Sequence, residues 1–369
     1  MQVSRSKTLN KKKPPDLVFL SSVAALLLFG TIMIFSSSSV MGLKVGDSFY
    51  YLKRHILYLM TGFFAFSFAL NLDLNKLKKS TFPVLGVSLF LLLLLFVPFF
   101  GKSLGGATRW LNFYFFSFQP SELVKFAMIL FLASSLSQLK DGIKDFVKGL
   151  LPLLVILGVV AGIIIKQPDM GTALSIMATS FLMFFIAGAR FVHLFSIFLA
   201  GGSAVFVLSF FSAYRLKRLL AFVDPWKDPL GIGFHIIQSL LAVGSGGFFG
   251  LGLGNSRQKF YYLPQQYADF IFAVLCEELG FIGAFALIVL FMIFCFRGAK
   301  IAAGAKDPFS SLLAFGLISM FFVQTALNIM VVIALIPTTG IPLPFVSYGG
   351  TTTIVNLFAV GLLANISRK

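Results

Sequence analysis

Several stretches of this chain run close to or beyond about 18 residues with few or no charged side chains, the length at which a helix crosses the hydrocarbon core of a bilayer. Ten such apolar segments follow one another, with approximate cores at 17–35, 55–71, 82–100, 121–137, 150–165, 170–188, 191–211, 270–296, 309–336 and 346–366. Composition agrees: 58% of the 369 residues are hydrophobic and only 12% charged, against about 25% charged in a soluble domain. These features exclude a soluble enzyme, a disordered chain and a fibrous one. They predict an all-α polytopic membrane protein of about ten transmembrane helices, forming one integral membrane domain over residues 1–369. Leu17–Phe35 is too long for the apolar core of an ordinary signal peptide and lacks a cleavage site, so it reads as a retained first span.

The net charge of +17 would suggest nucleic acid only if it were gathered on one face. Here Lys and Arg fall mostly between the apolar runs, where they set membrane orientation, so no nucleic-acid partner is expected. An even number of spans puts both termini on one side, and that side carries the Lys/Arg excess, so both termini are expected in the cytoplasm. Residues 213–269 between spans 7 and 8 then form one long extracytoplasmic loop, the only long connection in the chain. Long loops in compact domains are usually functional or disordered. This one is rich in Gly, aromatic and aliphatic residues, and His235–Val243 is apolar but too short to span, as an interfacial or re-entrant helix would be. Cys276 and Cys295 lie in one apolar run and would stand roughly 28 Å apart on a straight helix, too far for a disulfide.

Charge at the edges of spans carries the functional signal, because an ionisable group inside a bilayer costs a few kcal/mol even on lenient scales. In QPSELVK at 119–125, Pro120 suits a first helical turn, and Glu122 and Lys125 share one face three residues apart. They read either as a self-neutralising pair or as a polar floor beneath a cavity. Asp169 in KQPDMGT reads as an N-cap, and Glu277 and Glu278 should face the bundle interior. Lys53 and His55 read as interface anchors of the second span, whereas Arg54 is an equal candidate for substrate binding. The run GSGGFFGLGLG at 244–254 follows no strand and lacks nucleotide-fingerprint spacing, so turns and close packing account for it. The three histidines are far apart, and no Cys/His spacing fits zinc. Asp269 ends the long loop just where the eighth span begins. It is either another N-cap or a carboxylate set among Arg215, Lys217, Arg218, Arg257 and Lys259. The second arrangement suits a substrate with phosphate and hydroxyl groups, the cations holding the phosphate and the carboxylate taking a proton.

RWLNFYFFSFQPSELVKF at 109–126, KQPDMGTAL at 166–174 and YRLKRLLAFVDPWKDPLGIGFHIIQSLLAVGSGG at 214–247 resemble the SEDS family, the shape, elongation, division and sporulation proteins. So do YLPQQYADFIFAVLCEELG at 262–280 and PTTGIPLPFVSYGG at 337–350, while GLGNSRQKFYYLP at 252–264 is closer to the division branch than to the elongation branch. The resemblance implies a ten-span fold and a peptidoglycan glycosyltransferase that polymerises lipid II at the outer face of the cytoplasmic, or inner, membrane. It implies Asp269 as the catalytic base. It also implies a class B penicillin-binding protein as partner, with other division proteins and membrane lipid around it. One departure stands out. The family usually reads Pro-Glu-x-His-Thr-Asp-Phe, whereas Pro264 is followed here by Gln265, Gln266, Tyr267, Ala268, Asp269 and Phe270.

On that resemblance Asp269 would deprotonate the 4-hydroxyl of the acceptor sugar, and Arg109, Lys125 and Lys259 would stabilise the departing pyrophosphate. Arg54, Glu122, Arg215, Arg218 and Gln258 complete the candidate substrate-binding residues. A divalent cation, Mg or Mn, is compatible with the second task, but no acidic cluster requires one. Two rival readings stay open: a lipid II flippase with a midplane site, and a division scaffold without catalysis. A transporter needs a path through the bundle, and a polymerase needs a base at one face.

Overall fold

The computed structural model describes residues 13–97, 101–104, 107–113, 116–210, 213–259, 263 and 265–368. Among the described residues, each of the ten apolar segments contains a helix. The first group comprises α1 (Leu17–Leu43), α2 (Tyr50–Leu70), the short polar α3 (Leu74–Lys79), α4 (Thr81–Leu93), α5 (Pro120–Leu139), α6 (Leu151–Lys166), α7 (Met170–Ile186) and α8 (Phe191–Phe210). After them come α9 (Ala213–Val223), α10 (Phe234–Ser245), α11 (Ile271–Ala303), α12 (Pro308–Val332) and α13 (Gly350–Ser367). Six of these, α1, α5, α6, α11, α12 and α13 with their adjoining turns, are long and apolar enough to cross a membrane. α2, α4, α7 and α8 occupy the remaining predicted spans, and α3, α9 and α10 lie outside them.

Start signals are local. Asp16 accepts from Phe19 N at 2.9 Å to cap α1, Asp307 accepts from Ser310 N at 3.0 Å to cap α12, and Pro120 opens α5 where its missing N–H costs nothing. The helices are apolar on nearly every face, which in water would be ruinous and in lipid is required. Phe63, Phe64, Phe82 and Phe191 accordingly point outward. α12 packs on α5, α7 and α11 at the centre, and α2 lies along α13. Lys13 N donates to Arg368 O at 3.0 Å, and Arg297 reaches Asp16 with Nη2–Oδ2 at 2.5 Å. The two ends of the described chain therefore meet at one end of the bundle, as an even number of crossings requires.

Two features depart from the sequence reading. The connection between α4 and α5 is also long, and it holds an antiparallel sheet, β1 (Gly101–Leu104), β2 (Ala107–Phe113) and β3 (Phe116–Phe118), with Lys102 opposite Trp110 and Leu111 opposite Phe118. β1 and β3 are too short to leave a periodic signal, and β2, ATRWLNF, does not alternate apolar with polar residues. Within 213–269 the expected helix over His235–Val243 is α10, but α9 precedes it unannounced, its polar residues masking an amphipathic helix.

α11 is not straight. Gly280 adopts φ +64°, and the break is filled by the glycine run: Leu251 N donates to Glu277 O, Gly252 N to Glu278 O, and Phe281 N to Gly247 O at 2.9–3.0 Å. A Cβ on Gly280 would lie 2.4 Å from Gly250 N. Close backbone approach thus explains these glycines, as the sequence suggested. Cys276 and Cys295, on either side of the break, are both free.

Candidate active site

Opposite the paired termini, a cavity of about 570 Å³ opens among α2, the sheet, α5, α7, the start of α11 and the α12–α13 connection. That volume suits a substantial ligand. Arg54, Arg109, Glu122, Lys125 and Asp269 all line it, so the structure brings five of the nine candidate residues into one space.

The floor comes from the first turn of α5. Pro120 fixes the helix start and Gln119 N donates to Thr351 Oγ1 at 3.2 Å, which ties that start to α13. Glu122 and Lys125 then pair at 2.8 Å, both almost fully buried, and Glu122 Oε2 has no partner. They are at once a neutralising pair and a polar floor. Arg109 projects from β2. Its Nη2 donates to Pro168 O, and its Nε lies 3.9 Å from Asp169 Oδ2. Asp169 does cap α7, accepting from Thr172 N at 3.2 Å and from its hydroxyl at 2.8 Å. Its second duty, backing Arg109, had no local signal. Arg54 enters from α2 with its guanidinium 4.7 Å from the Tyr50 ring centroid.

Asp269 is half-buried, and among the described residues its carboxylate makes no hydrogen bond or ion pair. It does not cap α11, because Phe270 holds the N-cap position and no side chain bonds there. Burial pushes its pKa up to about 6; Arg109 and Arg218 pull it down, and Asp169 adds to the rise. A carboxylate poised near neutrality, with both lone-pair faces unspent, is suited to accept a proton. Beside it the rings of Tyr51, Tyr267 and Tyr348 pack at centroid distances of 4.7–5.6 Å, and Tyr58, Tyr267 and Tyr348 wall the cavity. Tyr267 stands where the family pattern has its histidine.

The long loop delivers fewer cations than its sequence suggested. Arg218 donates to Thr338 O at 2.8 Å and acts on Asp269 through charge. Lys259 is buried in an ion pair with Glu278 at 3.1 Å, and its amide together with those of Ser256, Arg257 and Gln258 is held by Glu277, Glu278 or the Ser256 hydroxyl. Neither Gln258 nor Lys259 lines the cavity. The two glutamates are inward-facing as expected, and it is they that draw this stretch away. Lys217 and Arg257 are exposed, and the side chain of Arg215 lies outside the described residues. On α2, Lys53 is exposed and pairs with Asp47 at 2.7 Å, as an anchor should. His55 is the opposite of an interface anchor: it is 1% exposed with both ring nitrogens unpartnered. Among the described residues no group of three metal-ligating side chains converges.

The family model described as cell cycle protein, covering FtsW, RodA and SpoVE, matches residues 17–369. The chain belongs to this family. The stage V sporulation protein E of Bacillus subtilis is 45% identical over 359 residues, covering 97% of this chain and 98% of that protein. A probable peptidoglycan glycosyltransferase FtsW of Geobacter sp. strain M18 is 42% identical over 355 residues, covering 96% and 97%. A chain from a solved peptidoglycan synthase complex that coordinates polymerization and crosslinking superposes with a TM-score of 0.80 at 29% identity, covering 96% of this chain and 98% of that one. Every element that borders the cavity lies inside the family match.

Proposed function

We propose that this family member is a peptidoglycan glycosyltransferase, polymerising lipid II into glycan strands during cell division. The observation that carries the reading is Asp269: an unpaired carboxylate with its pKa near 6, in one cavity with Arg54, Arg109 and Lys125. The acceptor's 4-hydroxyl loses its proton to Asp269 as its oxygen bonds the donor's anomeric carbon. The bond from that carbon to phosphate breaks, and undecaprenyl pyrophosphate departs with the electron pair. Arg109 and Lys125 offset the charge that develops on it.

The chain acts as one integral membrane unit over residues 1–369, with cytoplasmic termini and the cavity on the outer face of the cytoplasmic membrane. The Lys/Arg excess at the termini's side supports this orientation. The partner in this reading is a single-span class B penicillin-binding protein, as the family resemblance implies, and the likeness to a synthase-complex chain supports that pairing. Below Lys125 lies a void of about 10 Å³ lined by Met128, Ile129, Ile176 and Met320 together with Ser175, Thr179 and Ser180. The test is direct: the purified chain, with and without its transpeptidase, is given labelled lipid II, and glycan chains are resolved by electrophoresis. Chains should form, faster with the partner. Lipid translocation without polymer would transfer the assignment to a flippase.

A further inference from the structure

The residues just before α11 form neither helix nor strand, so their carbonyls need partners from elsewhere. Three in succession find them on one side. Tyr267 O accepts from Tyr348 N at 2.9 Å, Ala268 O from the Ser347 hydroxyl at 2.6 Å, and Asp269 O from Asn328 Nδ2 at 2.8 Å. All three donors belong to α12 or to the segment that joins it to α13.

Asn328 and Ser347 are both committed. The Asn328 amide also donates to Ile341 O at 2.8 Å, so its two protons tie the Asp269 turn to the neighbouring Gly340–Ile341 stretch of the cavity wall. The Ser347 hydroxyl accepts from Leu343 N at 2.8 Å, which orients its own proton toward Ala268 O. Both side chains are buried, and Asn328 is 1% exposed with its Oδ1 unpartnered. A primary amide in the middle of an apolar helix bundle is costly, and here each of its protons meets a carbonyl of the cavity wall. The same segment brings Gly340, at φ +75°, against the carboxylate: a Cβ there would stand 3.4 Å from Asp269 Oδ2 and 3.8 Å from Arg109 Nη1.

We propose that Asn328, seconded by Ser347, is the positioning residue for Asp269: it fixes the main chain so that the carboxylate stays over the cavity and cannot collapse onto Arg109 or Arg218. This rests on the polymerase reading for its catalytic meaning, but the geometry stands by itself. The charged and titratable groups around the carboxylate are Arg109 from β2, Asp169 at the start of α7, Arg218 from α9, and Tyr267 from its own turn. His235 of α10 stacks on the adjacent Phe270 at 6.2 Å. α12 and the following segment add no charged side chain. With the turn released, the carboxylate can reach an arginine. An ion pair would lower its pKa and occupy the lone pair that the acceptor hydroxyl needs.

The experiment uses the full chain in lipid nanodiscs with two readouts. One is the pH dependence of lipid II polymerisation. The other is a pH-difference infrared titration of the carboxyl band that disappears in Asp269→Asn. Asn328→Leu keeps the volume and removes both donors. It should lower kcat at least ~10-fold while KM moves within about 3-fold, as a misplaced base does. The titration midpoint should fall from about 6 by about one unit or more. Ser347→Ala should shift both in the same direction, less far, and Ser347→Thr should restore the parent values. Ser239→Ala removes a buried hydrogen bond of 2.8 Å to Val332 O, also on α12, and should leave the midpoint in place. If Asn328→Leu does not accumulate, Ser347→Ala against Ser347→Thr decides. Folded variants with an unmoved midpoint overturn the proposal, whether or not kcat falls. A parent that makes no polymer, yet whose midpoint moves with Asn328→Leu, overturns the polymerase and sustains the positioning role.

Discussion

Replacing Asp269 by Asn separates structure from chemistry unusually well at this position. The side chain caps nothing, and its backbone carbonyl bond to Asn328 is untouched by the change. Folding raises the carboxyl pKa from 3.8 to about 6, so the folded chain holds that proton more tightly than the unfolded one. The ionised carboxylate therefore costs stability; the cost is absent below about pH 4 and complete above about pH 6. Allowing for solvent screening of a half-buried group, it amounts to roughly 1–3 kcal/mol. Asp269→Asn should thus melt no lower than the parent at pH 7.5, with any advantage fading toward pH 4 in differential scanning fluorimetry. Polymerisation should fall ~10²–10⁴-fold, the usual loss for a general base, equivalent to about 2.7–5.4 kcal/mol of barrier. Parent activity should also climb with pH through about 6, as the base ionises. Lipid II binding should change far less, since Arg54, Arg109 and Lys125 remain. A folded Asn variant that makes glycan within a few-fold of the parent would refute the assignment.

Leu230 is 89% exposed in the 213–269 region; Leu230→Cys, in a Cys276→Ser, Cys295→Ser background, should react with an impermeant thiol reagent in intact cells, and labelling only after lysis would reverse the topology. Lys259→Met strands the buried Glu278 and should cost about 3–5 kcal/mol by thermal unfolding, with much of it recovered on adding Glu278→Gln; an unchanged melting point would deny the pair its structural role. Gly280→Ala meets both a positive φ and a backbone 2.4 Å away, so it should destabilise by more than about 1–3 kcal/mol and open the α10–α11 contact to proteolysis; a variant as protease-resistant as the parent would contradict that packing.

The ten helices were legible because lipid demands an unbroken apolar run, and chains advertise that demand openly. Asp169 as a cap, Glu277 and Glu278 as inward-facing acids, and α10 were readable for the same reason: each is a local pattern. What escaped is non-local. Lys259 sits ten residues before Asp269 in sequence, and nothing there reveals that Glu278 claims it. Nor does the sequence reveal that the Ser256 hydroxyl is bonded to Glu277. Asn328 did carry a signal, a polar side chain within an apolar run, but its partners became visible only once α12 lay beside the Asp269 turn. The sheet that presents Arg109 left too little periodicity to read.

The meeting of the glycine run with broken α11 has a bearing on how such chains can diverge. Gly250 and Gly280 face each other with no room for a methyl on either, and Gly246 lies as close to the Cys276 carbonyl. No single replacement on one segment can be absorbed by a side-chain adjustment on the other, because both surfaces are main chain. Residues 246–252 and 276–282 are thus inherited as one fitted part. A chimera that took the first stretch from one relative and the second from a relative with a different gap would misfit at the break in α11, even if every residue lining the cavity were preserved.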